Sequence, residues 1–217
     1  MIYAEYFKMT AKTFNRKILY AGLILLVLAG PGFGQDWISA ITYQISFPSG
    51  DTKQFADETS FTGFGLDFRK PVDRYTTVGL MFGWNVFNQR VTKTAELAME
   101  NPITITGLQD RTLNSFPVML NAHRYLGQGK DTRLYIGLNA GGYYMLQRFS
   151  IGINTFQKDQ WQWGIIPEIG FVMPLQGGST LILNGKYNYA FTGQSPLGGD
   201  INHEYWTIGI GFAWRQY

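Results

Sequence analysis

From residue 37 onward the chain alternates apolar with polar or small residues, again and again. A period of two puts successive side chains on opposite faces of a β-strand. Eight segments carry the pattern: 37–47, 61–69, 75–87, 112–125, 132–149, 160–173, 180–191 and 204–215. The third is the clearest. There Val78, Leu80, Phe82, Trp84 and Val86 alternate with Thr77, Gly79, Met81, Gly83 and Asn85. The links between segments also alternate. Lys70–Arg74, Gly127–Asp131 and Pro174–Ser179 are short, whereas Pro48–Ser60, Asn88–Arg111, Ser150–Asp159 and Thr192–His203 are longer. Short turns at one end and long loops at the other are the pattern of outer-membrane barrels. The predicted fold is therefore all-β: an eight-stranded antiparallel transmembrane up-and-down β-barrel.

A soluble β-sandwich or lipocalin-like barrel would alternate too. The position of the charges separates the two cases. A water-facing side should be rich in Lys, Glu and Asp, yet the non-apolar face here is mostly Gly, Thr, Asn, Ser and Tyr. Small polar residues suit a narrow lumen, which leaves lipid against the apolar face. The six tryptophans fit the same picture. Trp37 and Trp214 fall near one predicted rim. Trp161, Trp163 and Trp206 fall near the other, with Trp84 a little below. Two aromatic belts flanking an apolar band are what membrane interfaces select.

The N-terminus reads differently. Lys8, Lys12, Arg16 and Lys17 precede an uncharged apolar run, Ile18 to Ala29, and then the breaker-rich Gly30-Pro31-Gly32-Phe33-Gly34. That is the order of a secretory signal peptide. A run of about a dozen residues falls short of the roughly 20 that a spanning helix needs. Residues 1–34 are expected to be a cleaved signal and 35–217 the barrel domain, with Met9 an alternative initiator. Export through the inner membrane to the cell outer membrane follows.

Removing the signal changes the charge. The chain holds 18 basic and 15 acidic residues; the first 34 positions hold four and one, leaving 14 against 14. The formal +3 belongs to the export signal, so nucleic acid is not expected as a partner. With no cysteine, the exported chain has no disulfide scaffold and no lipoprotein anchor.

The stretch Phe116-Pro117-Val118-Met119-Leu120, then Tyr125-Leu126-Gly127, then Leu134-Tyr135-Ile136-Gly137-Leu138-Asn139-Ala140-Gly141-Gly142, resembles the outer-membrane β-barrel domain family common in Bacteroidetes, which includes small OmpA-like and PorT-like barrels. The resemblance covers residues 35 to 217 and concerns architecture. It implies the barrel fold and the outer membrane; some members resemble the accessory barrel of the gliding and type IX secretion machinery. One departure is at the C-terminus. Phe212, Trp214 and Gln216 share the lipid-facing register, whereas the terminal Tyr217 has the opposite parity.

Chemistry is sparse. Two histidines and no cysteines leave little material for metal or thiol sites. Gly63-x-Gly65 and Gly209-x-Gly211 lie within strands rather than at a strand-to-helix turn, so they are not nucleotide cradles. Asp51, Asp57 and Glu58 are irregularly spaced and read as a solvated loop rather than a cation site. His123 is followed two positions on by Tyr125 rather than Ser, with no paired nucleophile and acid evident. No enzyme activity, cofactor or metal is expected.

The inward parity does carry charge: Asp67, Glu168, Lys186 and Arg215, with His123 alongside. Counting back from the short sixth-to-seventh turn places Glu168 and Lys186 at one height, where they are expected to pair. An eight-stranded barrel is only wide enough to fill with side chains, so these five form a structural polar plug in preference to a pore. The expected role is structural or interactive. The alternatives are a narrow pore or a small-ligand-binding transport barrel and, less favoured, an outer-membrane lipid-modifying enzyme. Expected partners are outer-membrane lipid, the barrel-assembly machinery during insertion and an unidentified protein. Loop Asn88–Arg111 discriminates: folded inward it caps the lumen, projecting it offers a partner surface. Its apolar residues (Val91, Ala95, Leu97, Ala98, Met99, Ile103, Ile105) point to packing on something, and an alternative is that part of it lengthens the third and fourth strands beyond the membrane.

Overall fold

A computed structural model of the chain describes residues 37–97, 103–127, 132–152, 154–194 and 200–215. Residues 1–34, expected from sequence to be a signal, and the terminal Gln216 and Tyr217 lie outside the described residues. Each alternating segment forms a strand: β1 (Ile38–Ser49), β2 (Gly63–Pro71), β3 (Thr76–Leu97), β4 (Ile103–Leu126), β5 (Arg133–Ile151), β6 (Asn154–Pro174), β7 (Ser179–Gln194) and β8 (Asp200–Arg215). Neighbours in sequence pair antiparallel, and β1 pairs with β8 from Ile38↔Arg215 to Ser49↔Glu204, which closes the barrel. Closure satisfies the backbone of every strand, the condition that an apolar solvent imposes.

The two faces divide as the alternation requires. On β8, Trp206, Ile208, Ile210, Phe212 and Trp214 point out and are exposed, whereas His203, Tyr205, Thr207, Gly209, Gly211 and Ala213 point in and are buried. A row of exposed large apolar side chains is stable against lipid and unstable against water. No helix among the described residues is long and apolar enough to cross a membrane; the strands make the crossing.

Two connections differ from the sequence reading, and a third takes the strand-lengthening form that the sequence left open. Ser150–Asp159, predicted to be a long loop, is strand up to Ile151 and again from Asn154. Only a tight turn remains, with Gly152 at φ +57°, where a residue without Cβ is favoured. Most of Asn88–Arg111 is also strand: β3 and β4 stay paired from Asn88↔Thr112 out to Leu97↔Ile103. One parity there is polar throughout (Arg90, Thr92, Thr94) and the other mixes polar with apolar residues (Gln89, Val91, Lys93, Ala95, Leu97), so no continuous apolar stripe marks it in sequence. Pro48–Ser60 holds a short helix, α1 (Gly50–Phe55), too brief for helical periodicity to reveal.

Two prolines interrupt the ladders. Between β3 and β4 the pairing skips from Phe82↔Val118 to Asn85↔Ser115, across Pro117. Between β6 and β7 it skips from Ile165↔Tyr189 to Glu168↔Lys186, across Pro167. Proline has no N–H to give the ladder. Pro117 instead covers Gly83, where a Cβ would lie 2.9 Å from its Cγ. The ends of the barrel are called below the turn end, with the β2–β3, β4–β5 and β6–β7 connections, and the hairpin end.

Candidate functional site

The lumen is the chemically richest part of the molecule, and it is layered. Near the turn end, β6 delivers Glu168 inward. Its Oε1 accepts from Tyr135 Oη (2.6 Å) and Asn184 Nδ2 (2.9 Å). Its Oε2 accepts from Asn139 Nδ2 (3.3 Å), lies 3.3 Å from His123 Nε2 and is 3.7 Å from Lys186 Nζ. Donors thus come from β4, β5 and β7 to one carboxylate. A second pair sits beside it: Asp67 Oδ1 is 3.2 Å from Arg69 Nη2 and accepts from Asn121 Nδ2 at 3.0 Å. The Arg69 guanidinium stands 5.7 Å from the centroid of the Tyr135 ring, linking the two pairs.

These charges are shut away from water. Exposure is 0% for Asp67, 1% for Arg69 and His123, 2% for Lys186 and 5% for Glu168. Two acids face two bases, so the plug is formally neutral with His123 uncharged. Such neutrality is needed, because an unpaired buried charge costs several kcal/mol, on the order of 3–5. Glycines make the room. At Gly170 a Cβ would lie 2.6 Å from the Tyr135 ring, and at Gly137 it would collide with the His123 imidazole.

Apolar layers close the network on both sides. Toward the turn end, Ala40, Tyr125, Tyr135, Val172, Ile182 and Ala213 form one cluster. Toward the hairpin end a larger one includes Met81, Met119, Tyr143, Met145, Ile166 and Tyr205. Several polar side chains of that second layer bond to one another. Ser115 Oγ and Tyr205 Oη are 2.9 Å apart, and Asn188 Nδ2 donates to Thr207 Oγ1 at 3.0 Å.

Helix α1 completes the closure at the hairpin end. Phe55 and Ala56 join the apolar cluster from above. Thr52 Oγ1 accepts the backbone N–H of Glu204 (2.8 Å), and Asp51 Oδ2 accepts that of Asn202 (3.2 Å). Arg111 Nη1 donates to the carbonyls of Gln54 (3.2 Å) and Phe55 (3.3 Å), which anchors the end of the helix to β4. His203, on β8, accepts from Gln147 Nε2 at 2.6 Å beneath it. Of the three acids read from sequence as solvated loop residues, Asp57 and Glu58 are exposed; Asp51 also links α1 to β8, and Asp57 bonds to Gln89.

On the outer face, aromatic rings run in an unbroken line across five strands. Phe64, Trp84, Phe116, Tyr144 and Trp161 lie 5.8, 6.2, 6.2 and 5.4 Å apart in turn. Trp84 Nε1 donates to Asn114 Oδ1 at 3.2 Å, which pins its ring. Trp163 lies beside this line and Trp206 packs on Tyr187 at 4.6 Å. Trp214 is eight residues below Trp206 on the same face of β8. At roughly 3.3 Å per residue and a tilt of about 40°, that separation is about 20 Å along the barrel axis, close to the height of an outer-membrane apolar band. Above the aromatic line, Arg90 and Asp110 form an exposed pair, and the hydrogen bond from Arg90 holds the Asp110 carboxyl below its ordinary range.

Of the lumen residues read from sequence, Asp67, His123, Glu168 and Lys186 come together in the plug. Arg215 does not. It is exposed at the last residue of β8, opposite Ile38, beyond the apolar layer that closes the turn end. Of the belt residues, Trp84, Trp161, Trp163, Trp206 and Trp214 are on the outer face, whereas Trp37 precedes β1 and lies outside the barrel unit Ile38–Arg215. Sequence reasoning missed Arg69, although it shares the inward parity of Asp67 two positions away. It also missed the apolar share of the lumen: Met81, Leu113, Met119 and Ile166 point inward.

No family model and no curated protein sequence matches the chain. Among solved structures, Neisserial surface protein A (NspA) is similar at 12% identity and TM-score 0.50, covering 83% of this chain and 96% of that one. The outer membrane protein OprG from Pseudomonas aeruginosa is similar at 17% identity and TM-score 0.49, covering 84% and 97%. Ail of Yersinia pestis matches at 12% identity and TM-score 0.46, over 83% and 100%. The likeness to NspA concerns the fold alone. The fold is that of the small outer-membrane β-barrels.

Proposed function

We propose that this chain is an integral outer-membrane barrel that works through its surface, as a structural or interaction protein, and that its lumen carries no solute. The observation that carries this reading is the sealed lumen: four paired charges between two apolar layers, with α1 over one end. The one histidine–carboxylate contact of the plug, His123 with Glu168, is buried where no substrate reaches it, which weighs against a lipid-modifying role. In this reading a cleaved signal peptide, residues 1–34, delivers the chain to the barrel-assembly machinery, and the hairpin end faces the cell exterior. The Pro-containing β4 and the Tyr135-x-Gly137 strand support a Bacteroidetes-type barrel, for which an accessory place in a secretion machinery is the natural candidate.

The surface on offer is the β3–β4 ribbon. Its pairing with β5 ends at Gln109↔Ile151, whereas β3 and β4 run on together to Leu97↔Ile103. About six further residues per strand add roughly 20 Å to the wall on this side. Beyond the last pair with β5 the two strands of the ribbon pair only with each other, while α1 packs on the apolar cluster at the mouth. Replacing residues 92–108 with a two-residue Asn-Gly turn should leave the barrel heat-stable and remove whatever protein copurifies from the outer membrane in mild detergent. Unchanged copurification with the shortened hairpin would contradict this assignment.

A further inference from the structure

Charge is divided unevenly between the two ends. Among the described residues, the turn end carries five basic side chains (Lys70, Arg74, Arg124, Arg133, Arg215) against one acid, Asp73. The hairpin end carries six basic against eight acidic residues, and the plug charges cancel. Three of the turn-end cations gather on one quadrant of the outer face. Lys70 shares the outward parity of Leu66 and Phe68, Arg124 that of Leu120 and Ala122, and Arg74 projects from the turn between β2 and β3; all three are exposed. In the pairing register Lys70 faces Val78, Val78 faces Ala122, and Arg124 faces Thr76. The cluster therefore spans two strand spacings, about 10 Å.

The acid within this quadrant is divided between the turn and one of the cations: its Oδ2 lies 3.5 Å from Arg124 Nη1. Asp73 Oδ1 accepts the backbone N–H groups of Tyr75 (2.6 Å) and Thr76 (2.9 Å). The Tyr75 bond above all holds its carboxyl below the ordinary range. Arg124 Nη1 donates to Thr76 Oγ1 at 2.7 Å, and its guanidinium lies 5.4 Å from the centroid of the Tyr75 ring. That fixes a cation against the wall at the depth where the apolar face ends. Directly above it Val78, Leu80 and Leu120 are exposed, Leu120 at 69%.

We propose that Lys70, Arg74 and Arg124 bind the phosphate of an anionic glycerophospholipid in the leaflet at the turn end, with an acyl chain lying along Leu80 and Leu120. Guanidinium and ammonium groups at interfacial depth recognise a phosphodiester through charge-assisted hydrogen bonds. A zwitterionic lipid offers the same phosphate, but its own ammonium opposes the patch. The site depends on the transmembrane fold and not on a docking role for the ribbon, so either can fail without the other.

Native mass spectrometry of the full chain, from micelles holding equal phosphatidylglycerol and phosphatidylcholine, reads this directly. Phosphatidylglycerol adducts should persist in preference to phosphatidylcholine. Each basic group near an anionic surface is worth about fivefold in affinity. With Arg124 shared between lipid and Asp73, the Lys70→Gln/Arg74→Gln/Arg124→Gln variant should retain at least about 25-fold less phosphatidylglycerol, about fivefold for each of Lys70 and Arg74. Lys70→Gln alone, at an exposed position outside the turn bonds, should retain a few-fold less and covers the case in which the triple variant does not fold. Arg90→Gln/Arg148→Gln, at the hairpin end, should retain as much as the wild type. Inorganic phosphate should leave the adducts in place. Equal retention of the two lipids by the wild type, equal losses at both ends, or displacement by free phosphate would overturn the proposal.

Discussion

Alanine in place of Glu168 is expected to destabilise the barrel by about 3–5 kcal/mol, the cost of leaving a buried charge without its partner. The loss is large because one carboxylate serves strands on both sides of it. Tyr135 loses its acceptor, Asn139 and Asn184 each lose one of two, and Lys186 is left with no counter-ion inside an apolar enclosure. Urea unfolding of the chain in lipid vesicles, followed by the heat-dependent shift of the folded band on a gel, measures the change. A double change, Glu168→Leu with Lys186→Leu, removes both charges and should recover most of the stability, since apolar replacement of a complete buried pair is often neutral. A double variant as weak as the single one would locate the loss in the neutral hydrogen bonds instead of the orphaned lysine.

Valine in place of Gly211 should block closure. Gly211 sits in β8 on the seam with β1, and a Cβ there would collide with the Ile41 carbonyl oxygen and lie 2.6 Å from the Thr42 Cα. Backbone cannot swing aside as a side chain can, so the seam itself must part. Overpacking of this kind costs about 1–3 kcal/mol or more. Because the seam joins the first and last strands, we expect the yield of folded barrel from urea-denatured chain to fall by at least half. Gly107→Ala is the control: its nearest neighbour, Ile151 Cγ1, is 3.5 Å away in ordinary contact. Equal yields for the two variants would mean that the seam tolerates the extra atoms.

These two residues show what was legible in the sequence. Strand number and the inward or outward direction of each side chain follow from a period of two, because a one-residue error turns a whole strand inside out. Glu168 and Lys186 were therefore readable as neighbours once the β6–β7 turn was placed. Arg69 was equally readable by parity, but an arginine close to a turn looks like a rim residue until the Tyr125–Tyr135 layer below it is known. Parity cannot show where the lumen ends, which is why Arg215 looked internal. It says nothing about α1 either, since that helix is held by contacts from β4 and β8 far away in sequence, at Arg111 and Glu204. The apolar content of the lumen was obscured for a different reason. Met81, Met119 and Ile166 each lie between outward residues that are apolar too (Leu80 and Phe82, Val118 and Leu120, Ile165 and Pro167), so the polar half of the alternation is lost there.

The central claim is that the lumen is a packed interior and conducts nothing, so the function lies on the outside. Single-channel recording after insertion of the purified chain into planar bilayers tests it most directly. The account predicts a bilayer that stays electrically silent over voltages at which porins conduct steadily. Stable, reproducible current steps from the folded chain would contradict it.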